Sequence, residues 1–308
     1  MATLSQPLSG IIPPLATPLV DRDTLDLAGL ERLVEHVLAG GVRGVFLLGT
    51  TGEGPSLSYR LRAELVDRVC RQVAGRVPVL VGVTDTSPVE SLRLAGQAAD
   101  AGATAVVLAP PYYFPLSQPE LLYYLRRVAP AMPLPVFLYN IPSHTKTAFG
   151  LAVVRRALAI DNIVGMKDSS GDMRHFHQLH RLRHQRPGWT LLIGPEELLA
   201  EAVLLGGDGG VCGGANLCPQ LYVALYDAAT RRDVPRAAEL HQRVLDISRS
   251  IYTVAKHPSA VIQGIKSALA CLGLCNDHLV EPLHRLSPAQ REQVRQHLSR
   301  LGIARPRT

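Results

Sequence analysis

Apolar residues recur along this chain in eight short runs, at 11–17, 42–49, 77–84, 105–110, 135–140, 163–168, 190–195 and 209–214. The runs are near-continuous and do not alternate apolar with polar positions, as strands buried on both faces of a parallel sheet do. Between them, residues 27–39, 59–74, 88–101, 118–129, 150–159, 172–184 and 196–205 carry apolar positions at helical spacing. Ser87-Pro88 with Glu90, and Ser117 with Glu120, are helix-entry signals. Eight strand–helix units in roughly 230 residues predict a (β/α)8 TIM barrel. An open doubly wound sheet would carry Gly-x-Gly-x-x-Gly after its first strand, which the sequence lacks.

Past the eighth run the rhythm changes. Residues 221–231, 234–251, 257–272 and 287–301 read as helices with no strands between them. One of these closes the barrel as its eighth helix, and the rest form a helical C-terminal extension. The expected division is a barrel over 1–232 that carries the active site and a helical region over 233–308, with the boundary near Asp233.

Length and composition narrow the class. The 308 residues suffice for a large buried core. No run of eighteen apolar residues exists, so no membrane span is expected. Residues 1–7 lack a basic segment followed by an apolar one, and five cysteines do not suggest a disulfide framework. A reduced, cytoplasmic setting fits both. The net charge of +6 comes from arginines dispersed through the helices, so nucleic acid is not an expected partner.

The candidate chemistry centres on Gly165-Met166-Lys167-Asp168-Ser169-Ser170-Gly171, where an apolar run ends in one lysine. Desolvation at a strand end disfavours the ammonium form and frees the amine as a nucleophile toward a carbonyl. The chain has only four lysines (Lys146, Lys167, Lys256 and Lys266), and arginine cannot form a Schiff base. In a barrel, reactive groups collect at the C-terminal ends of the strands. The second run ends in Gly49-Thr50-Thr51-Gly52-Glu53-Gly54, the fourth in Pro110-Pro111-Tyr112-Tyr113-Phe114, and the fifth in Tyr139-Asn140-Ile141-Pro142-Ser143-His144. Thr50 and Thr51 offer hydroxyls and free N–H groups suited to a carboxylate. Tyr139 suits a phenolic proton relay that Tyr113 would continue. Each residue also has an ordinary structural reading: the threonines as helix caps, Tyr112 and Tyr113 as interface aromatics, Tyr139 as a core tyrosine satisfied by backbone.

With these motifs in this order, the chain resembles the dihydrodipicolinate synthase / N-acetylneuraminate lyase family of pyruvate-dependent class I aldolases. The resemblance runs from residues 10–18 through Gly-Thr-Thr-Gly-Glu, Pro-Tyr-Tyr, Tyr-Asn-Ile-Pro-Ser and Gly-Met-Lys-Asp-Ser-Ser to the helical tail. It implies that Lys167 attacks the C2 carbonyl of pyruvate or another 2-oxo acid, giving an iminium that serves as the electron sink in place of a metal or organic cofactor. It implies that Tyr139 moves the proton at the aldehyde oxygen, and that Thr50 and Thr51 hold the carboxylate and link Tyr139 to Tyr113. Gly49, Thr51, His144 and Val211 are the implied substrate-binding positions. The second tyrosine would come from a neighbouring subunit, in a homotetramer built as a dimer of dimers.

The departures bear on the substrate. In dihydrodipicolinate synthases, an arginine that binds the carboxylate of the second substrate usually follows Tyr-Asn-x-Pro-Ser; here His144 stands there, followed by Thr145-Lys146. Losing a bidentate guanidinium weakens carboxylate recognition. Sialic acid lyases carry sugar-binding acidic residues near Gly194-Pro195-Glu196-Glu197, while Gly213-Gly214-Ala215-Asn216 offers little hydroxyl chemistry for a long sugar. The expectation is an aldolase or dehydratase of 2-oxo-3-deoxy sugar acids. The alternatives are 4-hydroxy-tetrahydrodipicolinate synthase itself and a non-catalytic barrel that binds a 2-oxo acid. His175, His177, His180 and His184 read as a polar outer helix face rather than a metal site. Cys212, Cys271 and Cys275 read as buried thiols, and Lys256 and Lys266 as surface or packing residues.

Overall fold

The computed structural model describes residue 4 and residues 6–303; of the N-terminal stretch read above, residues 1–3 and 5 lie outside the described residues. The strands are β1 (Gly10–Ile11), β2 (Leu19–Asp21), β3 (Thr24–Leu25), β4 (Val45–Leu47), β5 (Val79–Gly82), β6 (Ala105–Leu108), β7 (Val136–Asn140), β8 (Ile163–Asp168), β9 (Thr190–Ile193) and β10 (Gly209–Gly210). Eight of them form one parallel sheet in the order β1-β10-β9-β8-β7-β6-β5-β4. The sheet closes on itself where Pro14 bridges to Phe46: the Phe46 N–H donates to Pro13 O at 3.0 Å and the Leu15 N–H to Phe46 O at 2.9 Å. This is the expected (β/α)8 barrel.

The helices are α1 (Leu27–Ala39), α2 (Tyr59–Val73), α3 (Pro88–Asp100), α4 (Gln118–Val128), α5 (Pro142–Thr145), α6 (Leu151–Ala157), α7 (Met173–Arg183), α8 (Leu199–Leu204), α9 (Pro219–Thr230), α10 (Val234–Ile251), α11 (Ala260–Cys271) and α12 (Pro288–Arg300). Helix α9 follows the eighth barrel strand and packs against β1, completing the outer ring; α10–α12 follow it. The strands bury both faces, as their unbroken apolar runs require. Phe46, Leu80, Val107, Phe137, Tyr139 and Leu192 fill the barrel interior, while Leu47, Val106, Leu138, Met166 and Leu191 face the helix ring.

Several boundaries differ from the sequence expectation. The first run shrinks to Gly10–Ile11, because Pro13 and Pro14 have no N–H for a ladder. The eighth shrinks to Gly209–Gly210, with Gly213–Asn216 turning as a 3-10 segment. The hairpin β2–β3 and the single helical turn α5 were not legible in apolar periodicity, being too short to show a period. Ser117 forms the expected capping box with Glu120. Ser87 does not cap α3: its N–H is taken by Asp85 Oδ1 at 2.9 Å, and Glu90 pairs with Arg93 instead.

Candidate active site

One residue of β8 sets the site. Along β7 and β8 the register slips by one between Val136 and Phe137, so that Phe137 pairs with Gly165, Leu138 with Met166, and Tyr139 with Lys167. A one-residue slip in a strand moves every later side chain to the other face. Here it brings Lys167 onto the interior face beside Tyr139, with Met166 turned toward the helices. Gly165 permits the close approach, since a Cβ there would meet the Phe137 ring at 2.5 Å and Thr190 O at 2.7 Å.

Lys167 is 6% exposed. Its Nζ lies 4.1 Å from the Tyr139 ring centre and 5.2 Å from that of Phe46. Phe46 meets Tyr139 edge to face at 6.2 Å, so two aromatic walls restrict where the amine can point. The Tyr139 hydroxyl and Thr50 Oγ1 are 3.3 Å apart. The phenol is therefore satisfied by a hydroxyl that can pass a proton on, not by backbone, and Thr50 is not spent on a helix cap.

The Thr50–Thr51 loop is held tightly. Its entry residue, Leu48, has φ 59°, a conformation costly for a residue with a Cβ and found where surrounding contacts impose it. Glu53 N–H donates to Thr50 O at 3.0 Å, Gly54 N–H to Gly49 O at 3.2 Å, and Thr17 Oγ1 to Gly52 O at 2.7 Å. Thr51 Oγ1 faces the turn after β10, 3.7 Å from where a Cβ on Gly213 would stand. Val211, buried, joins the interior cluster with Tyr139 and Phe46.

Behind the lysine, Asp168 is fixed rather than free. It accepts from Asn140 Nδ2 at 2.7 Å, from Ser170 Oγ at 3.0 Å and from Ser170 N–H at 3.2 Å. Burial raises its pKa, and these donors pull the other way. Asn140 also accepts the Phe149 N–H, which ties the chain after α5 back to the strand end.

A cavity of about 350 Å3 opens at this end of the barrel. Gly49, Thr50, Tyr139, His144 and Tyr112 are among the residues that line it, with Pro258, Ile262 and Leu283 of the C-terminal region closing one wall. His144 is held below the usual histidine pKa, first by desolvation and then by the charge of Lys167, so it faces the cavity as neutral imidazole at pH 7. Arg62 also reaches the cavity, but its guanidinium is engaged by Asp85 at 3.3 Å and by the carbonyls of Pro55 and Leu57.

Tyr113 stands apart. It is 70% exposed, with its ring edge to face against Phe114 at 5.0 Å, and within one chain it does not reach Thr50. The acidic loop after β9 is also closed to ligands. Glu196 is buried and accepts from Tyr222 Oη, from Tyr252 Oη at 2.7 Å and from the Gly214 N–H at 2.9 Å, while Glu197 takes Ser248 Oγ. Asn216 is likewise spent on Ala16 N–H, Pro14 O and Gly213 O. Among the described residues no group of three or more His, Cys, Asp or Glu is placed to hold a metal ion, the α7 histidines included.

Of the two places expected for Lys266, surface or packing, it takes the second, and its ion pair is what sequence reasoning missed. Its side chain is fully buried and pairs with Glu53 Oε1 at 2.6 Å. The available signal was a lone lysine inside the apolar helix Ala260–Cys271, which needs a buried counter-charge.

Comparison with known proteins adds the lineage. The model of the dihydrodipicolinate synthetase family matches residues 7–301. The structure of dihydrodipicolinate synthase from Bacteroides thetaiotaomicron superposes with a TM-score of 0.94 at 49% identity, over 96% of this chain and 100% of that one. The structure of YagE, a prophage protein of the same family from Escherichia coli K12 in complex with pyruvate, gives 0.90 at 32% identity, over 96% and 99%. The probable 2-dehydro-3-deoxy-D-pentonate aldolase YjhH of Escherichia coli is 33% identical over 96% of this chain and 98% of its own length.

Proposed function

From the premise that this chain belongs to the dihydrodipicolinate synthetase family, whose members are pyruvate-dependent class I lyases, we propose that it cleaves 2-oxo-3-deoxy sugar acids to pyruvate and a short hydroxy-aldehyde. Lys167 Nζ adds to the C2 carbonyl and water leaves, forming an iminium on the enzyme. Tyr139 takes the proton of the C4 hydroxyl as the C3–C4 bond breaks. The bonding electrons pass into the iminium to give an enamine, and the aldehyde departs. Protonation at C3 and hydrolysis then release pyruvate and the free amine. Thr50 and Thr51, with their own N–H groups, hold the C1 carboxylate, and Thr50 carries the proton between Tyr139 and solvent-side groups.

The observation that carries this reading is the pairing of Tyr139 with Lys167 on one rung, with Thr50 on the phenol. The reaction class needs no metal or organic cofactor, because the iminium is the electron sink. We place the enzyme in the cytoplasm as a homotetramer, a dimer of dimers in which the exposed Tyr113 of one subunit completes the relay of its neighbour.

The substrate choice rests on His144. A neutral imidazole at the rim suits a hydroxylated aldehyde better than the carboxylate of aspartate semialdehyde, which a guanidinium would clamp at two points. The engaged Glu196 argues against a long sialic-acid-like sugar. A second reading, 4-hydroxy-tetrahydrodipicolinate (dihydrodipicolinate) synthase, is favoured by the 49% identity to the Bacteroides dihydrodipicolinate synthase. The two separate in one assay series. Retro-aldol release of pyruvate from 2-oxo-3-deoxy-pentonate or -gluconate is compared with condensation of pyruvate and aspartate semialdehyde. A higher kcat/KM in the first supports the aldolase; a higher value in the second overturns it in favour of the synthase.

A further inference from the structure

The C-terminal helices reach the catalytic loop through one fully buried ion pair. Glu53 closes the Gly-Thr-Thr-Gly-Glu loop at φ 56°, in the left-handed region, and its carboxylate meets the tail. Oε1 lies 2.6 Å from Lys266 Nζ of α11, and Oε2 accepts the Val280 N–H at 2.8 Å. Lys266 Nζ in turn donates to His278 O. Both side chains have no solvent exposure. Burial drives Lys266 down from the usual lysine pKa, and the Glu53 carboxylate works against that fall.

Loop and tail are thus joined at two points by the Glu53 carboxylate, and Lys266 ties α11 to the segment that follows it. The junction is one hydrogen bond from the chemistry, since the Glu53 N–H donates to Thr50 O and Thr50 Oγ1 meets the Tyr139 hydroxyl. A buried pair of this kind contributes little net stability against apolar replacements of similar volume, so its worth lies in fixing one geometry.

We propose that Glu53 and Lys266 are a positioning pair that sets the Thr50–Thr51 loop for the substrate carboxylate and for the Tyr139 hydroxyl. The helical tail is then part of the active site, although neither residue touches the reacting atoms. This rests on the assignment of Lys167, Tyr139 and Thr50 made above.

The test compares Lys266→Met, Glu53→Gln and the double variant with wild type, in the full-length protein. Lys266→Met alone strands a buried carboxylate and is expected to lose stability. The double variant removes both charges and is expected to fold with a melting temperature near that of wild type. Asp208→Asn, which removes the charge paired with Arg183 beside the opposite end of β9, serves as a control for destabilisation alone. Borohydride trapping with pyruvate across a concentration series reads the apparent affinity of the carboxylate site directly.

The expected result is a roughly ten-fold or larger rise in the half-saturating pyruvate concentration for the double variant, with Asp208→Asn unchanged. Wild-type half-saturation in a folded double variant would overturn the positioning role. An equal loss in Asp208→Asn would reduce the effect to general stability and also overturn it. Absence of trapping in wild type would instead strike the Lys167 assignment, so the two failures are distinguishable.

Discussion

Tyr139 and Lys167 are direct partners across β7 and β8, and the lysine nitrogen sits 4.1 Å from the centre of the phenol ring. The pairing depends on the one-residue slip between Val136 and Phe137. Without it Tyr139 would stand beside Met166, and the amine would face the helix ring.

Tyr139→Phe keeps the ring that walls the lysine and removes only the hydroxyl shared with Thr50. A phenol acting as proton carrier predicts a fall in kcat of about 10²–10⁴-fold with the iminium still formed. Steady-state rates alongside borohydride trapping check both halves. A variant that turns over normally would remove Tyr139 from the chemistry.

His144→Arg restores a fork of donors at the rim of the cavity. The expected outcome is a lower KM for aspartate semialdehyde, by about ten-fold for one charge-assisted contact, with the KM for pyruvate unchanged. An unchanged ratio of the two would show that position 144 does not select the second substrate.

The pKa of His144 lies below the 6.5 of a free imidazole, chiefly because of desolvation. Its neutral form is thus favoured in the folded protein. The associated stability is complete above pH 6.5 and is lost as the pH falls toward and through the lower folded value. Wild type should therefore lose stability faster than His144→Gln between about pH 7 and pH 5. Parallel urea melts across that range measure the difference, and identical slopes would refute the assignment.

Gly165→Ala places a methyl group against the Phe137 ring and Thr190 O, two residues before the lysine. Overpacking of this kind costs about 1–3 kcal/mol. Because the strand must shift to relieve it, the rung of Tyr139 and Lys167 is disturbed as well. Denaturant midpoint and kcat should fall together; an unaffected kcat would mean that the β8 register is not what aims the amine.

The barrel was legible because its strands are buried on both faces and its helices are amphipathic, which leaves a periodic trace in residue order. Lys167, Tyr139 and Thr50 were legible as strand-end residues of rare chemistry, and the structure brings these three together. Tyr113 was legible as a residue but stands exposed, outside the site of the single chain. The register slip was not legible, because a bulge of one residue leaves the apolar run of β8 intact. Nor was the Glu53–Lys266 pair: its members lie more than two hundred positions apart, and nothing local marks either as the other's counter-ion. The closure of Glu196 by Tyr222 and Tyr252 escaped because nothing local marks either tyrosine as its donor.

In the proposed reaction everything downstream depends on Lys167 forming the iminium. Borohydride reduction in the presence of pyruvate, followed by peptide mapping, tests it directly among the four lysines of the chain. The expected result is a reduced pyruvate adduct on Lys167 that disappears in Lys167→Ala. An adduct on Lys146, Lys256 or Lys266 instead, or none on folded protein at saturating pyruvate, would contradict it.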